Sequence, residues 1–353
     1  MLNKLRAKML SLQFRSIRRA VIILIAKIPK DLERAITFGD ALNHFLMISP
    51  FRPLFKFSIP KNIKVNVHDL TFDSPIISAS FKDDVSSLFQ WQLIGIGGIT
   101  YKTVLKMPSK GNLRPRIQEV SHDGNYAILN SLGLPTKGVK KFLPQINNKK
   151  LTKFNRPIGI SIGGNSFEEY LSVFSEIDHH LNTIDFSQFF YEINISCPNT
   201  EDGKCLSDDL ESLKNLIIRF RDISSRMIVV KVSPDSTNEE VLKVCEILSN
   251  FSKTAINIGN TKYVKASDVG LSSKTFSKEG GGLSGKSLYS NTLRMVKLVA
   301  SKYDLPIIAT GGVSSYDNVK ELLDNGASLT GMATLLVSDP FQIPLINYRL
   351  SND

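Results

Sequence analysis

Between residues 75 and 337 the chain repeats one pattern eight times, a short apolar run followed by a stretch of helical length. The runs are PIISAS (75–80), GIGGIT (95–100), PIGISIG (157–163), FYEINIS (190–196), MIVVKVS (227–233), TAINIGN (254–260), LPIIATG (305–311) and SLTGMATLLV (328–337). Runs that are apolar throughout, without alternation, are strands buried on both faces. The segments between them, such as SFEEYLSVFSEIDHHL and TNEEVLKVCEILSNF, have helical length and pattern. Strands alternating with helices make a parallel sheet, and eight such units match a (β/α)8 TIM barrel in number and size. A doubly wound open sheet is the alternative that the pattern leaves.

A barrel of this type builds its site at the C-terminal ends of the strands. The polar residues that close each run are therefore the candidates: Ser80, Lys102 just past its run, Ser161, Asn194 with Cys197, Lys231, Asn260, the Gly311–Gly312 pair and Thr334. Lys231 in IVVKVSP is the sharpest case, because a polar group among apolar residues is costly to bury without a partner. It reads as a cation aimed at an anionic or electron-rich ligand, against the alternative of a lysine on the outer rim.

Residues 280–287, GGGLSGKS, satisfy the phosphate-loop pattern G-x-x-x-x-G-K-[ST]. A nucleotidase loop must follow directly on a buried strand and open a helix. The preceding SSKTFSKE is polar and charged, with no strand-like run. Half the required context is missing, so the segment reads as a long loop after the sixth strand and not as the phosphate loop of a nucleotidase.

The N-terminal region has a different character. Residues 1–30 carry Lys4, Arg6, Lys8, Arg15, Arg18, Arg19, Lys27 and Lys30 and no acid, so much of the net charge of +11 sits there. AVIILIA (20–26) is far shorter than the ~20 apolar residues that cross a bilayer. Residues 31–48 predict a second helix, and Pro50, Pro53 and Pro60 then make an extended connector. A basic apolar helix pair can lie in a membrane interface, act as an organelle leader or cap the body; the interface is favoured. The division expected is an extension over 1–55 and a catalytic barrel over 56–353, membrane-associated at the periphery or cytoplasmic.

Three cysteines, Cys197, Cys205 and Cys245, include no CxxC pair, so no disulfide framework and no structural zinc are expected. Cys245 in VLKVCEIL reads as a small buried hydrophobe. The His179–His180 pair falls in no motif and reads as a solvent-facing helical pair. No basic run is interleaved with aromatics, and nucleic acid is not an expected partner.

YEINISCPNT (191–200) carries a resemblance. The chain resembles the dihydroorotate dehydrogenases, FMN-dependent (β/α)8 barrels of pyrimidine biosynthesis, over roughly residues 65–345. ITYKTV (99–104) and KGNLRPRI (110–117) look like the family's lysine segment and its Gly-Asn-x-x-Pro-Arg sequel. NSLGLPTKG (130–138) looks like its substrate loop, and VVKVSPD, GGLSGKSL, IIATGGVSS and NGASLTGMATLLV follow in the family's order.

The resemblance implies a division of labour. Cys197 would be the base that takes a proton from C5 of dihydroorotate. Asn130, Asn194, Asn199, Asn260 and Thr261, with the backbone of Leu132, Gly133 and Leu134, would hold the pyrimidine. Lys102 and Lys231 would lie against the flavin and its substrate side, and Ala79, Ser80 and Ser161 would touch the isoalloxazine. Gly282, Gly285, Gly311, Gly312, Ala333 and Thr334 would cradle the FMN phosphate. These residue types suit the chemistry: a thiol with a reference pKa of about 8.5 is readily tuned toward neutrality. Asparagine offers both donor and acceptor to ring edges, and lysines stabilise negative charge on a reduced flavin.

Two kinds of family member are mixed here. Cys197, Ser161 and NSLGLP are like the soluble, cysteine-base type. The N-terminal helical extension, GGLSGKSL and NGASL look more like the membrane-associated, quinone-reducing type, although its arginine after the Ser-Pro-Asn-Thr segment is missing from TEDGKCL. The acceptor therefore stays open among quinone, fumarate and an iron–sulfur/NAD partner subunit, with quinone favoured by the extension. A homodimer is compatible with the sequence. The competing readings are another FMN barrel, such as a dihydropyrimidine dehydrogenase-like or dihydrouridine synthase-like reductase, and a phosphate-loop nucleotide-binding module.

Overall fold

The structure, a computed structural model, describes residues 2–26, 31–195 and 209–353. Two helices come first, α1 (Leu2–Ile25) and α2 (Leu32–Ile48). Asp31 caps the second by accepting the backbone N–H of Glu33, which satisfies one of the orphan donors of a first helical turn. A small antiparallel hairpin, β1 (Val65–Val67) and β2 (Leu70–Phe72), precedes the barrel. The chain then runs through β3 (Ile76–Ser78), α3 (Val85–Ile94), β4 (Ile99–Val104), β5 (Ile117–His122), β6 (Asn125–Asn130), α4 (Val139–Ile146), α5 (Lys149–Thr152), β7 (Ile158–Ile162), α6 (Phe167–Leu181) and β8 (Phe189–Asn194). It continues with α7 (Leu210–Ile223), β9 (Ile228–Val232), α8 (Asn238–Ser249), β10 (Thr254–Ile258), β11 (Lys262–Lys265), β12 (Gly280–Gly285), α9 (Tyr289–Ala300), β13 (Ile307–Thr310), α10 (Tyr316–Asp324), β14 (Leu329–Met332), α11 (Thr334–Ser338) and α12 (Gln342–Leu350).

Eight of these strands form one parallel sheet in the order β3–β14–β13–β10–β9–β8–β7–β4. Isolated parallel bridges at Ile77–Gly98 and Lys82–Tyr101 link its two end strands. The fold is thus a (β/α)8 barrel with an N-terminal helical extension, and the open-sheet alternative falls. The main core lies between strands and helices, where Phe174 stacks on Phe220. A second core fills the lower interior: Phe72, Ile77, Phe190, Val229, Ala255, Ile308 and Leu329, closed from below by the β1–β2 hairpin. Gly159 makes room for it, since a Cβ there would stand 2.4 Å from the ring of Phe190. Fully burying a residue such as Phe190 is worth roughly 1.5–3 kcal/mol.

Three expectations shift at their edges. The run at 95–100 becomes strand only from Ile99, because Gly95, at φ 105°, ends α3 in the left-handed region. The run at 328–337 is strand only to Met332 and then turns helical, an ambiguity that apolar periodicity alone does not resolve. Residues 280–285 are not loop but strand β12, in a second, four-stranded antiparallel sheet ordered β11–β12–β6–β5. A strand hydrogen-bonded on both edges cannot be a phosphate loop, so the nucleotidase reading closes. This sheet is built from the connections that follow β4 and β10, and so belongs to the C-terminal rim of the barrel. Cys245 is buried on α8 as expected, its thiol pushed up to about 12 by burial. His179 is exposed on α6, while His180 meets Asn147 at 2.9 Å.

Candidate active site

Successive side chains of a strand point to opposite faces, so alternate residues of each barrel strand face inward. Phe190 on β8, Val229 on β9 and Ala255 on β10 do so in the lower apolar layer. Two residues further along each strand stand Glu192, Lys231 and Asn257, 2%, 6% and 2% exposed. The interior changes from hydrocarbon to charge within one layer. The register sets the polar groups in rows: Ser161 opposite Glu192, and Asn194 opposite Lys231, which is opposite Asn257.

Two hydrogen-bonded sets result. Ser80, just after β3, donates to Glu192 Oε1 at 2.5 Å, and Asn257 Nδ2 donates to Oε2 at 2.7 Å. Lys231 Nζ donates to Ser80 Oγ at 3.3 Å and lies 4.0 Å from Glu192 Oε1. Nearby, Thr103 Oγ1 and Ser161 Oγ are 3.1 Å apart, and Asn194 Nδ2 donates to Thr103 Oγ1 at 3.3 Å. Of the residues expected from sequence, Ser80, Ser161, Asn194 and Lys231 therefore meet in the upper barrel. Lys102 enters from β4, lining a small cleft with Thr103, Thr136, Lys137 and Gln145. Burial is the main cause that draws its ammonium below the ordinary lysine range; Asp83 and Glu33 oppose, and Lys82 and Arg116 add to it.

The second sheet brings another group together. Asn130 on β6 faces Gly282 on β12 and donates to its carbonyl at 3.0 Å. Asn260 and Thr261 follow β10, with the Thr261 N–H bonded to Asn260 Oδ1 at 2.9 Å. A Cβ at Gly282 would stand 2.1 Å from Thr261 Oγ1, so only glycine lets these segments close. Leu132, Gly133 and Leu134 form the connection after β6, with φ of 66° at Gly133 and 48° at Leu134.

The remaining predicted glycines and small residues gather near β12, β13 and β14. Gly285 ends β12; Gly311 and Gly312 follow β13, and a Cβ on Gly312 would meet the backbone N of Tyr289 at 2.4 Å. Ala79 donates its N–H to Met332 O at 2.9 Å, which sets it beside Ala333 and Thr334. Cys197 and Asn199 lie outside the described residues.

One clamp was not expected. Arg116 bonds Glu33 of α2 through Nε and Nη2 at 3.0–3.3 Å. Its Nη1 donates to the carbonyls of Lys110 and Asn112 at 2.5 and 2.8 Å and to Leu132 at 3.4 Å. Arg114 reaches Asp31 at 2.7 Å and Glu33 at 3.1 Å. Further along α2, Asp40 pairs with Lys82 at 2.5 Å and His44 Nδ1 lies 3.0 Å from Ser86 Oγ. The extension is thus bolted to the rim of the barrel. Arg116→Ala leaves Glu33 with Arg114 alone and removes the donor to three carbonyls. It is expected to lower stability by about 2 kcal/mol, read as a drop in the urea midpoint. Arg116→Lys keeps the charge but loses the planar fork, and should recover only part.

Ten buried side-chain polar atoms have no hydrogen-bond partner among the described residues, and two of them, Asn257 Oδ1 and Thr310 Oγ1, lie in the upper barrel. An unpartnered buried polar atom calls for an explanation, and at these two positions a ligand in the site is one. Together with the Gly-lined backbone after β13, they suit a planar polar heterocycle carrying a phosphate. Sequence reasoning passed over Glu192, Asn257 and Thr103. Glu192 interrupts FFYEIN as Lys231 interrupts IVVKV, so the same criterion would have found it.

A family model described as "Dihydroorotate dehydrogenase" matches residues 62–352. The catalytic subunit of the NAD(+)-linked dihydroorotate dehydrogenase B of Bacillus cytotoxicus is 28% identical over 289 residues, covering 80% of this chain and 89% of the relative. The corresponding subunit of Malacoplasma penetrans is 27% identical over 284 residues, covering 79% and 88%. A dihydroorotate dehydrogenase of Eimeria tenella, crystallised with ferulenol, has the same fold: TM-score 0.71 at 18% identity, covering 90% of this chain and 91% of that one.

Proposed function

The chain belongs to the dihydroorotate dehydrogenase family, and we propose that it binds FMN and oxidises (S)-dihydroorotate to orotate in pyrimidine synthesis. The observation that carries the reading is the polar upper layer of the barrel, where Ser80, Ser161, Asn194 and Lys231 converge above an apolar floor. Bound FMN would supply the acceptor for the hydride that leaves C6. The chain's own residues do the rest. Cys197 takes the C5 proton, three residues beyond the end of β8. Asn130, Asn194, Asn199, Asn260 and Thr261, with the 132–134 backbone, bind the ring edges and carboxylate. Lys102 and Lys231 supply positive charge where negative charge develops. The phosphate is assigned to Gly311 and Gly312 with Ala333 and Thr334, and to Gly282 and Gly285 on the β12 side, glycine being the residue that lets backbone come close to phosphate oxygens.

FMN content after purification, and one orotate formed per flavin reduced without oxygen, test this assignment. Lys286 is exposed on the turn after β12 and makes no ion pair among those found for the described residues. Lys286→Ala is expected to leave FMN content and the rate of flavin reduction within about twofold. A large loss of FMN in that variant would return the phosphate-loop lysine to the site.

For the acceptor we favour quinone reached at a membrane surface, with residues 1–55 as the docking extension and 56–353 as the catalytic barrel. No helix among the described residues is long and apolar enough to cross a membrane. The support is a surface stripe. Leu5, Met9 and Leu12 on α1, and Phe38, Leu42 and Phe45 on α2, are exposed large hydrophobics at helical spacing. Lys8, Arg15 and Arg19 are exposed beside them, the arrangement of an interfacial amphipathic helix. A second reading, an iron–sulfur/NAD partner subunit, is favoured by the NAD(+)-linked names of the relatives. Steady-state turnover with quinone, fumarate and NAD separates the two.

A further inference from the structure

Glu192 has no part in the reaction as written, yet it is the most buried acid of the site. Both carboxylate oxygens are held, Oε1 by Ser80 at 2.5 Å and Oε2 by Asn257 at 2.7 Å. Lys231 is tied to the same Ser80 oxygen at 3.3 Å and stands 4.0 Å from the carboxylate. The layer below is filled by Phe190, Val229 and Ala255 without any charge. Hydrocarbon would therefore have served to fill the space, and a desolvated ion pair contributes little or no net stability over it. What the pair does provide is a fixed charge arrangement immediately under the proposed flavin site. Ser80 is the bridge: it donates to Glu192, accepts from Lys231, and is itself anchored at the end of β3.

We propose that Glu192 is a positioning residue for Lys231, one that aims the ammonium through Ser80 and balances its charge, and so sets the electron affinity of the bound flavin. The proposal rests on the FMN reading above. Its consequence is a charge rule. With both residues present the layer is neutral; with Glu192 removed it carries one positive charge, which favours an electron-rich flavin. With Lys231 removed it carries one negative charge, which disfavours it.

The test uses full-length protein loaded with FMN and two readouts that need no dihydroorotate: the midpoint potential and the affinity for sulfite, which adds to electron-poor flavins. Glu192→Gln is expected to raise the potential and tighten sulfite binding by about tenfold or more. Lys231→Gln is expected to shift both in the opposite direction, and the double variant to return them near the wild-type values. A filling role for Glu192 predicts no such reversal, and equal sulfite affinities in all four proteins overturn the proposal. If Glu192→Gln alone fails to retain FMN, the double variant decides: recovery of FMN binding supports charge pairing, and no recovery contradicts it. A wild-type chain that takes up no FMN sinks the flavin reading itself, and this inference with it.

Discussion

Cys197→Ala slows anaerobic flavin reduction by dihydroorotate about a thousandfold while leaving the FMN bound. That is the expected result, and it follows from what the base contributes. Removing a proton next to a carbonyl by a positioned side chain is worth roughly 10²–10⁴ in rate. Cys197 is the titratable side chain that SCPNT places just beyond Asn194, the last residue of β8. The FMN itself is assigned to Ser80, Ser161, Lys231, the glycines of β12 and those after β13, none of which the substitution changes. Flavin content and visible spectrum should therefore match the wild type. Cys197→Ser should recover part of the rate with a profile displaced to higher pH, because a hydroxyl is a far weaker acid than a thiol. A stopped-flow rate for Cys197→Ala within tenfold of wild type would place the base elsewhere.

The second large effect concerns the extension. Leu5→Glu, Leu12→Glu and Phe45→Glu in one chain should weaken binding to anionic phospholipid vesicles by roughly a thousandfold, since each residue buried at the interface is worth up to about 1.5–3 kcal/mol. These side chains are 58%, 59% and 60% exposed, so the fold has little stake in them. The polar contacts that dock α2, Asp40 with Lys82 and Glu33 with Arg116, are left intact. Flavin reduction by dihydroorotate should persist while turnover with a membrane quinone falls. Vesicle cosedimentation unchanged by the three glutamates would remove the membrane from the account and favour the NAD-linked reading.

How much of this was legible in the sequence depends on what each residue had to signal. The eight barrel strands declared themselves because both faces are buried, so PIISAS, PIGISIG and MIVVKVS are mainly apolar without polar alternation. The second sheet did not, because its strands advertise nothing. β12 is GGGLSG, chosen for close approach to Thr261 and Asn130 rather than for strand propensity, and β5 is IQEVSH, with one apolar residue in three. Lys231 was visible as a cation in an apolar run; Glu192 and Asn257 gave the same signal in their own strands, and only the structure shows the three as one network. The clamp of Arg116 on Glu33 spans 83 positions and has no local signature. The roles of Cys197 and Asn199 rest on motif and chain position alone.

The central claim is that dihydroorotate gives its electrons to a flavin held at the top of this barrel. One measurement addresses it without any choice of acceptor: full-length protein, reconstituted with FMN and freed of oxygen, is mixed with dihydroorotate while the flavin's visible absorption is followed. The account predicts rapid bleaching and one orotate released per flavin. Protein that takes up no FMN, or bound flavin that stays yellow with dihydroorotate in excess, would contradict it.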